Sequence, residues 1–171
     1  MTERQIRLFG DPVLRSVCDP VTMPPGDPRL RGLVEDLVHT VMPPGRAGVA
    51  ANQIGVGLRA FVVNVDNVIS YVLNPVLEVA GDPAPIDEGC LSVPGFFFPR
   101  LRHPWARVTG VDADGRPVVL EGEGLLAQAL QHESDHLDGR LYIEGLEPEV
   151  KREAMRAIRQ SDWFRMGVTS A

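Results

Sequence analysis

The sequence predicts an α+β domain, with antiparallel strands packed around a central metal-binding helix, N-terminal helices before them and a C-terminal helix after. Three observations carry this reading. Residues 125–137 place apolar side chains at helical spacing around a His-Glu-x-x-His pattern. Strand-like runs at 59–65, 71–79 and 108–121 precede it, the last folded at Asp114-Gly115, a strong hairpin signal. Helical patterns opened by proline stand towards both ends of the chain. With 171 residues, 44% of them hydrophobic, the chain is long enough to bury one sizeable core, and residues 1–171 are read as one domain.

Asp11-Pro12 sets a capping acid before a proline and starts a short helical turn through Cys18. Asp27-Pro28 repeats the signal before a longer helix. Its Leu30, Leu33, Val34, Leu37, Val38 and Val41 share one face until Pro43-Pro44 stops it. A glycine-bearing loop, PPGRAGVAANQIG, leads into the strands, and DEGCLSVPGFFFPR lies between the second and third runs. The central helix ends at Asp138-Gly139, where glycine suits a left-handed cap. A last helix over about 148–163 starts at Pro148 and carries Val150, Ala154, Ala157 and Ile158 on one side.

Composition narrows the function classes. A net charge of -6 argues against direct specific nucleic-acid binding, which needs a basic face. No apolar run approaches membrane-spanning length, and MTERQIRLFG lacks the apolar core of a signal peptide. A cytoplasmic protein is expected, in which Cys18 and Cys90 stay reduced.

On a helix, His132 and His136 lie one turn apart, so both imidazoles can reach one ion. Glu133 sits beside that face, where its carboxylate can take a proton from water activated by the metal. Leu125 and Ala129 share the histidine face, and Leu126, Leu130 and Leu137 cover the adjacent side, so the helix should be buried. Buried histidines and a glutamate need partners. A third ligand is required. Downstream stand Glu144, Glu147, Glu149 and Glu153, past a glycine turn or in a charged helix, and position 142 is Tyr rather than His. Upstream stands Cys90, preceded by Gly89, which lets the backbone approach closely. A thiolate beside two imidazoles makes a three-ligand site with one position open. The bland alternatives are a chance motif and a buried apolar cysteine; for Cys18 the second is the reading adopted.

These residues resemble the peptide deformylases over nearly the whole chain. That family is marked by a G-x-G-x-A-A-x-Q loop, an E-G-C-L-S stretch and a Q-H-E-x-D-H-L-x-G helix. The corresponding segments here are RAGVAANQ at 46–53, EGCLS at 88–92 and QHESDHLDG at 131–139. FGDPVLR at 9–15 and LNP at 73–75 also look like family segments. The resemblance implies that Cys90, His132 and His136 hold one divalent metal ion, Fe2+ in the cell, with Zn2+, Ni2+ or Co2+ possible in purified protein. It implies hydrolysis of the N-formyl group from N-formylmethionyl nascent peptides. Glu133 would be the acid–base residue, with Gln53 and the backbone N–H of Leu91 as oxyanion donors. A thiolate ligand makes the metal a milder Lewis acid than three histidines would, which raises the need for those donors. Ile86, Leu125 and Ala129 occupy positions expected to line the methionine pocket. Ala47 and Gly48 occupy those expected to meet the substrate backbone. Gln128 falls where an apolar lining would be expected, as a pocket rim or a solvated residue.

Three departures stand out, one being Asn52, where many members carry another residue. The first glycine of the loop motif is Arg46, either stiffening the loop or lying outside its turn, and position 97 is Phe where some members carry arginine. Phe96–Phe98 either forms an apolar wall or packs on the sheet, with packing expected for at least one of the three because neighbours in an extended segment face opposite sides. The last helix carries Lys151, Arg152, Arg156 and Arg159, either a transient ribosome contact implied by the resemblance or a solvated face. Competing functions are a paralogue acting on another small N-acyl or amide substrate, a His-Glu-x-x-His metallopeptidase with a Glu ligand, and a non-catalytic metal-binding domain.

Overall fold

Alternation along residues 60–65 decides what covers each face of the sheet. A computed structural model describes residues 3–169. Its strands are β1 (Gly48–Ala50), β2 (Ala60–Val65), β3 (Val68–Ala80), β4 (Ala84–Cys90), β5 (Val93–Arg102), β6 (Trp105–Val111) and β7 (Pro117–Glu123). Its helices are α1 (Pro28–Val41), α2 (Gly124–Leu137), α3 (Pro148–Gln160) and α4 (Asp162–Thr169). Five strands form an antiparallel sheet in the order β1-β2-β3-β6-β7, while β4 and β5 pair as a separate ribbon. Phe61 and Val63 of β2 join Val72, Ala106 and Val108 against Ala127, Leu130 and Leu137 of α2. Ala60 and Val62 point the other way, to Leu30, Leu33, Leu37 and Val41 of α1. The strands pack on the metal-binding helix, as the α+β expectation had it, and α1 covers the opposite face, so that the sheet is a layer between two helices.

The boundaries have local causes. Asp27 caps α1 by accepting from Arg29 N at 2.8 Å, and Pro28 occupies its first turn. The β6–β7 hairpin turns on Asp112, whose Oδ1 accepts from Asp114 N and Arg116 N, both at 2.9 Å. In β3 the ladder to β6 shifts between Leu73 and Val76. There Asn74 takes a left-handed φ of 52° and bonds Val21 through both ends of its amide.

Two expectations need correction, and one stretch to which the pattern assigned no element gains one: EGCLS lies in a hairpin, β4–β5. Its β4 sequence, APIDEGC, has no apolar alternation because a two-stranded ribbon leaves most of it exposed. The last helix ends at Gln160, where Ser161 turns extended and α4 begins. Trp163 and Phe164 then fold back, with Trp163 Nε1 donating to Pro94 O at 3.0 Å and Phe164 meeting Phe9. Near the N-terminus only Pro12–Arg15 is helical, as one 3-10 turn. A third core results, in which Val93, Phe96 and Phe98 of β5 pack on Tyr142, Ile143, Ala154 and Ile158. Among the described residues no helix is long and apolar enough to cross a membrane.

Phe61 is completely buried between sheet and α2. Phe61→Ala is expected to lower the free energy of unfolding by about 3–5 kcal/mol, read from urea denaturation. A loss below about 1 kcal/mol would contradict the packed sheet–α2 layer.

Candidate metal centre and active site

Helix α2 runs across the sheet and carries His132 and His136 on consecutive turns, both buried, with Nε2 atoms 3.1 Å apart. The tight turn at Leu91-Ser92 brings the end of β4 alongside, and Cys90 Sγ lies 3.4 Å from His136 Nε2. The three candidate ligand atoms all lie within 4.8 Å of one another. None of the downstream glutamates belongs to this cluster, and Glu144 accepts instead from Leu141 N at 3.3 Å.

The donor set fits a metal ion. His132 Nδ1 bonds Glu88 Oε2 at 2.8 Å, which fixes the ring with Nε2 facing inward, where a bound metal would take the place of the proton. Burial, reinforced by the charge of His132, holds the pKa of His136 well below its ordinary value and keeps it neutral. Two imidazole nitrogens and a sulfur converging in this way call for a cation between them. Metal bonds of about 2.3 Å to sulfur and about 2.05 Å to nitrogen, set tetrahedrally, place N and N about 3.3 Å apart and N and S about 3.6 Å apart. The separations of 3.1 and 3.4 Å are close to that geometry.

Glu133 is 3% exposed, and its Oε2 has no hydrogen-bond partner among the described residues. Burial pushes its carboxyl up to about 7, against the pull of His132. Gly48 explains its placement, because a Cβ there would collide with the Glu133 carboxylate. Gln53 is buried in the 3-10 turn Ala51–Ile54. Its Oε1 accepts from Ala50 N at 2.9 Å, which aims Nε2 at Ser92 Oγ (3.1 Å) and Cys90 Sγ (3.6 Å).

Cys90, His132, Glu133 and Gln53 border one cavity of about 820 Å³, within the range of small-ligand sites. Ala47, Gly48, Leu91, Leu125 and Ala129 contribute to its walls. Ile86 does not border it and is 38% exposed on β4. Gln128 does border it and ties α2 to β4 by donating to Asp87 O at 3.0 Å. Phe97 is 73% exposed and covers Gly89, while Phe96 and Phe98 face the third core. Cys18 stands apart in the sheet–α2 core, its thiol pushed up to about 11 by burial.

Glu88, Arg102 and Asp135 were given no role from sequence, and Asn52 was noted only as a departure from the family loop. Arg102 makes a bidentate pair with Glu88 at 2.8 and 2.7 Å and reaches Asp135 at 2.7 Å, nearly all of it buried. Burial opposes charge on Glu88, yet Arg102 and His132 hold it down at about 2. Asn52 Nδ2 donates to His136 O at 2.6 Å. Glu88 and Asp135 sit inside the quoted motifs, which is a usable signal; Arg102 sits in none.

Comparison with known proteins follows the same lines. The family model for polypeptide deformylase matches residues 3–152. A peptide deformylase of Acidothermus cellulolyticus is 49% identical over 163 residues, covering 95% of this chain and 89% of that one. One from Mycolicibacterium paratuberculosis is 47% identical over 182 residues, covering 96% and 91%. Among solved structures, a peptide deformylase from Legionella pneumophila matches with a TM-score of 0.86 at 33% identity over 98% of both chains. One from Ehrlichia chaffeensis in complex with actinonin gives 0.85 at 28% identity, covering 95% of this chain and 99% of that one.

A carboxylate held below its ordinary pKa contributes stability above that value and loses it as pH falls. Stability should therefore decline between pH 4.5 and about 2 as Glu88 protonates. Glu88→Ala should flatten that decline in acid-unfolding curves. It should also weaken metal binding about 10–100-fold in a chelator competition and lower unfolding free energy by about 3–5 kcal/mol, because Arg102 is left buried with Asp135 alone.

Proposed function

The chain belongs to the polypeptide deformylase family, and on that premise we propose how its site works and on what. It is a metal-dependent hydrolase that removes the formyl group from the N-terminal formyl-methionine of newly made polypeptides. The observation that carries this reading is the convergence of Cys90, His132 and His136 beside a cavity that Cys90, His132, Glu133 and Gln53 border. Cys90, His132 and His136 hold one divalent ion, Fe2+ in the cell, while Zn2+, Ni2+ or Co2+ can occupy the same donors in purified protein. When bound, the ion supplies Lewis acidity towards water and the formyl oxygen.

The protein groups do the rest. Glu133 takes a proton from the attacking water and passes it to the departing nitrogen, a double duty that suits a carboxyl near neutrality. The water oxygen bonds to the formyl carbon, the C–N bond breaks, and formate and a free α-amine result. Gln53 Nε2 and the Leu91 backbone N–H stabilise the oxyanion. Leu125 and Ala129 receive the methionine side chain, and the edge at Ala47 and Gly48 receives the peptide backbone. Ile86, outside the cavity walls, has no part in this scheme. The protein acts in the cytoplasm on nascent chains, and the basic residues of α3 offer a transient contact with the ribosome.

Glu133→Gln should keep the metal, by elemental analysis, while formate release from a formyl-Met dipeptide falls by about 10²–10⁴-fold. Metal lost together with activity would undo the assigned role. Gln53→Ala should lower kcat by about 10²–10³-fold. Gly48→Ala should unseat Glu133 and depress kcat without altering metal content. The formyl-Met dipeptide should be cleaved far faster than its acetyl counterpart, and equal rates would sink the deformylase reading in favour of a general N-acyl hydrolase.

A further inference from the structure

Residues 42–48 form one wall of the cavity, and Arg46, Ala47 and Gly48 all border it. The wall includes Pro43-Pro44, which prevents α1 from continuing, and is tied to the sheet from residue 47 onward. There Asn64 N donates to Ala47 O at 2.8 Å and Gly48 pairs with Val63. Ahead of that point its order comes from behind. Arg46 Nη1 donates to Thr40 O at 2.6 Å, and Nη2 pairs with Glu3 Oε1 at 2.7 Å. Thr40 O is among the last carbonyls of α1, where a cation complements both the unpaired acceptor and the helix dipole.

Glu3 is itself held in place. Its neighbour Arg4 donates from its backbone N to Thr40 Oγ1 at 3.0 Å and pairs with Asp36 at 2.9 Å, and Thr40 Oγ1 donates to Asp36 O at 2.6 Å. The guanidinium of Arg46, planar and forked, joins the N-terminal segment and the end of α1 to the cavity wall.

We propose that Arg46 is a positioning residue which braces the 42–48 wall so that the Gly48 edge is ordered before substrate arrives. This rests on the deformylase reading above. An unbraced wall would have to be ordered at the expense of binding, so the brace acts on substrate affinity rather than on the chemical step. Glycine, which the family motif carries at this position, has no side chain to make either contact.

Steady-state kinetics of the metal-loaded enzyme on a formyl-Met tripeptide, together with amide hydrogen exchange, test the brace. Arg46→Gln should raise KM about three- to tenfold with kcat within about twofold, the scale of one partly exposed charged contact. Glu3→Gln, far from the chemistry, should shift KM in the same direction. The double variant should be no worse than Arg46→Gln alone, since Glu3 acts on the wall through Arg46. Arg46→Lys should rescue KM in part. Backbone exchange over 44–48 should accelerate in both single variants. Unchanged KM or unchanged exchange in Arg46→Gln overturns the proposal, as do fully additive effects of the two substitutions. Lack of formate release by the unmodified enzyme would instead count against the function reading; the exchange rates then decide whether the brace exists.

Discussion

Two imidazole nitrogens facing each other 3.1 Å apart beside a sulfur, at the edge of a cavity, make an arrangement that a metal cation settles. The molecule is organised around forcing that arrangement. Helix α2 fixes the two histidines one turn apart, and the sheet beneath fixes the helix through Phe61, Val63 and Leu130. The ribbon β4–β5 delivers the sulfur through a turn tight enough to leave Leu91 beside the same atoms. A site of this kind needs rigid elements on both sides, because a small slip of either would separate donors that must converge.

The same economy governs the charges. Glu88 orients His132 and is itself neutralised by Arg102, which in turn reaches back to Asp135 on the metal-binding helix. Ribbon and helix are joined by one closed set of buried, mutually satisfied groups. Such a set is no bargain in stability compared with apolar packing. Its return is geometric: the imidazole ring cannot rotate without breaking a charge-assisted bond.

The helical pattern around His132 and His136 was legible in the sequence because its period and burial agree, and the candidate ligand at Cys90 followed from chemistry, as no downstream glutamate was well placed. The sheet–helix layering was legible for the same reason. The β4–β5 ribbon was not, since APIDEGC is largely solvent-facing and shows no period of two. Arg102 was invisible because what makes it matter is a contact 33 residues away in sequence, with Asp135. The break between α3 and α4 at Ser161 escaped notice because helical spacing runs straight through it; Trp163 bonding to Pro94 decides it. Ile86 fell outside the cavity although its position in the ribbon sits two residues from Glu88, which does border it.

Gly48 gives the two sides of the cavity unequal freedom to vary. On its side the smallest possible residue is already in contact with the Glu133 carboxylate, so even one added methyl competes with the base for the same volume. Phe97, which also borders the cavity, is largely open to solvent and lies over Gly89. Divergence of this enzyme towards other peptides is therefore channelled: one bank is frozen by the chemistry it borders, and novelty must enter from the other.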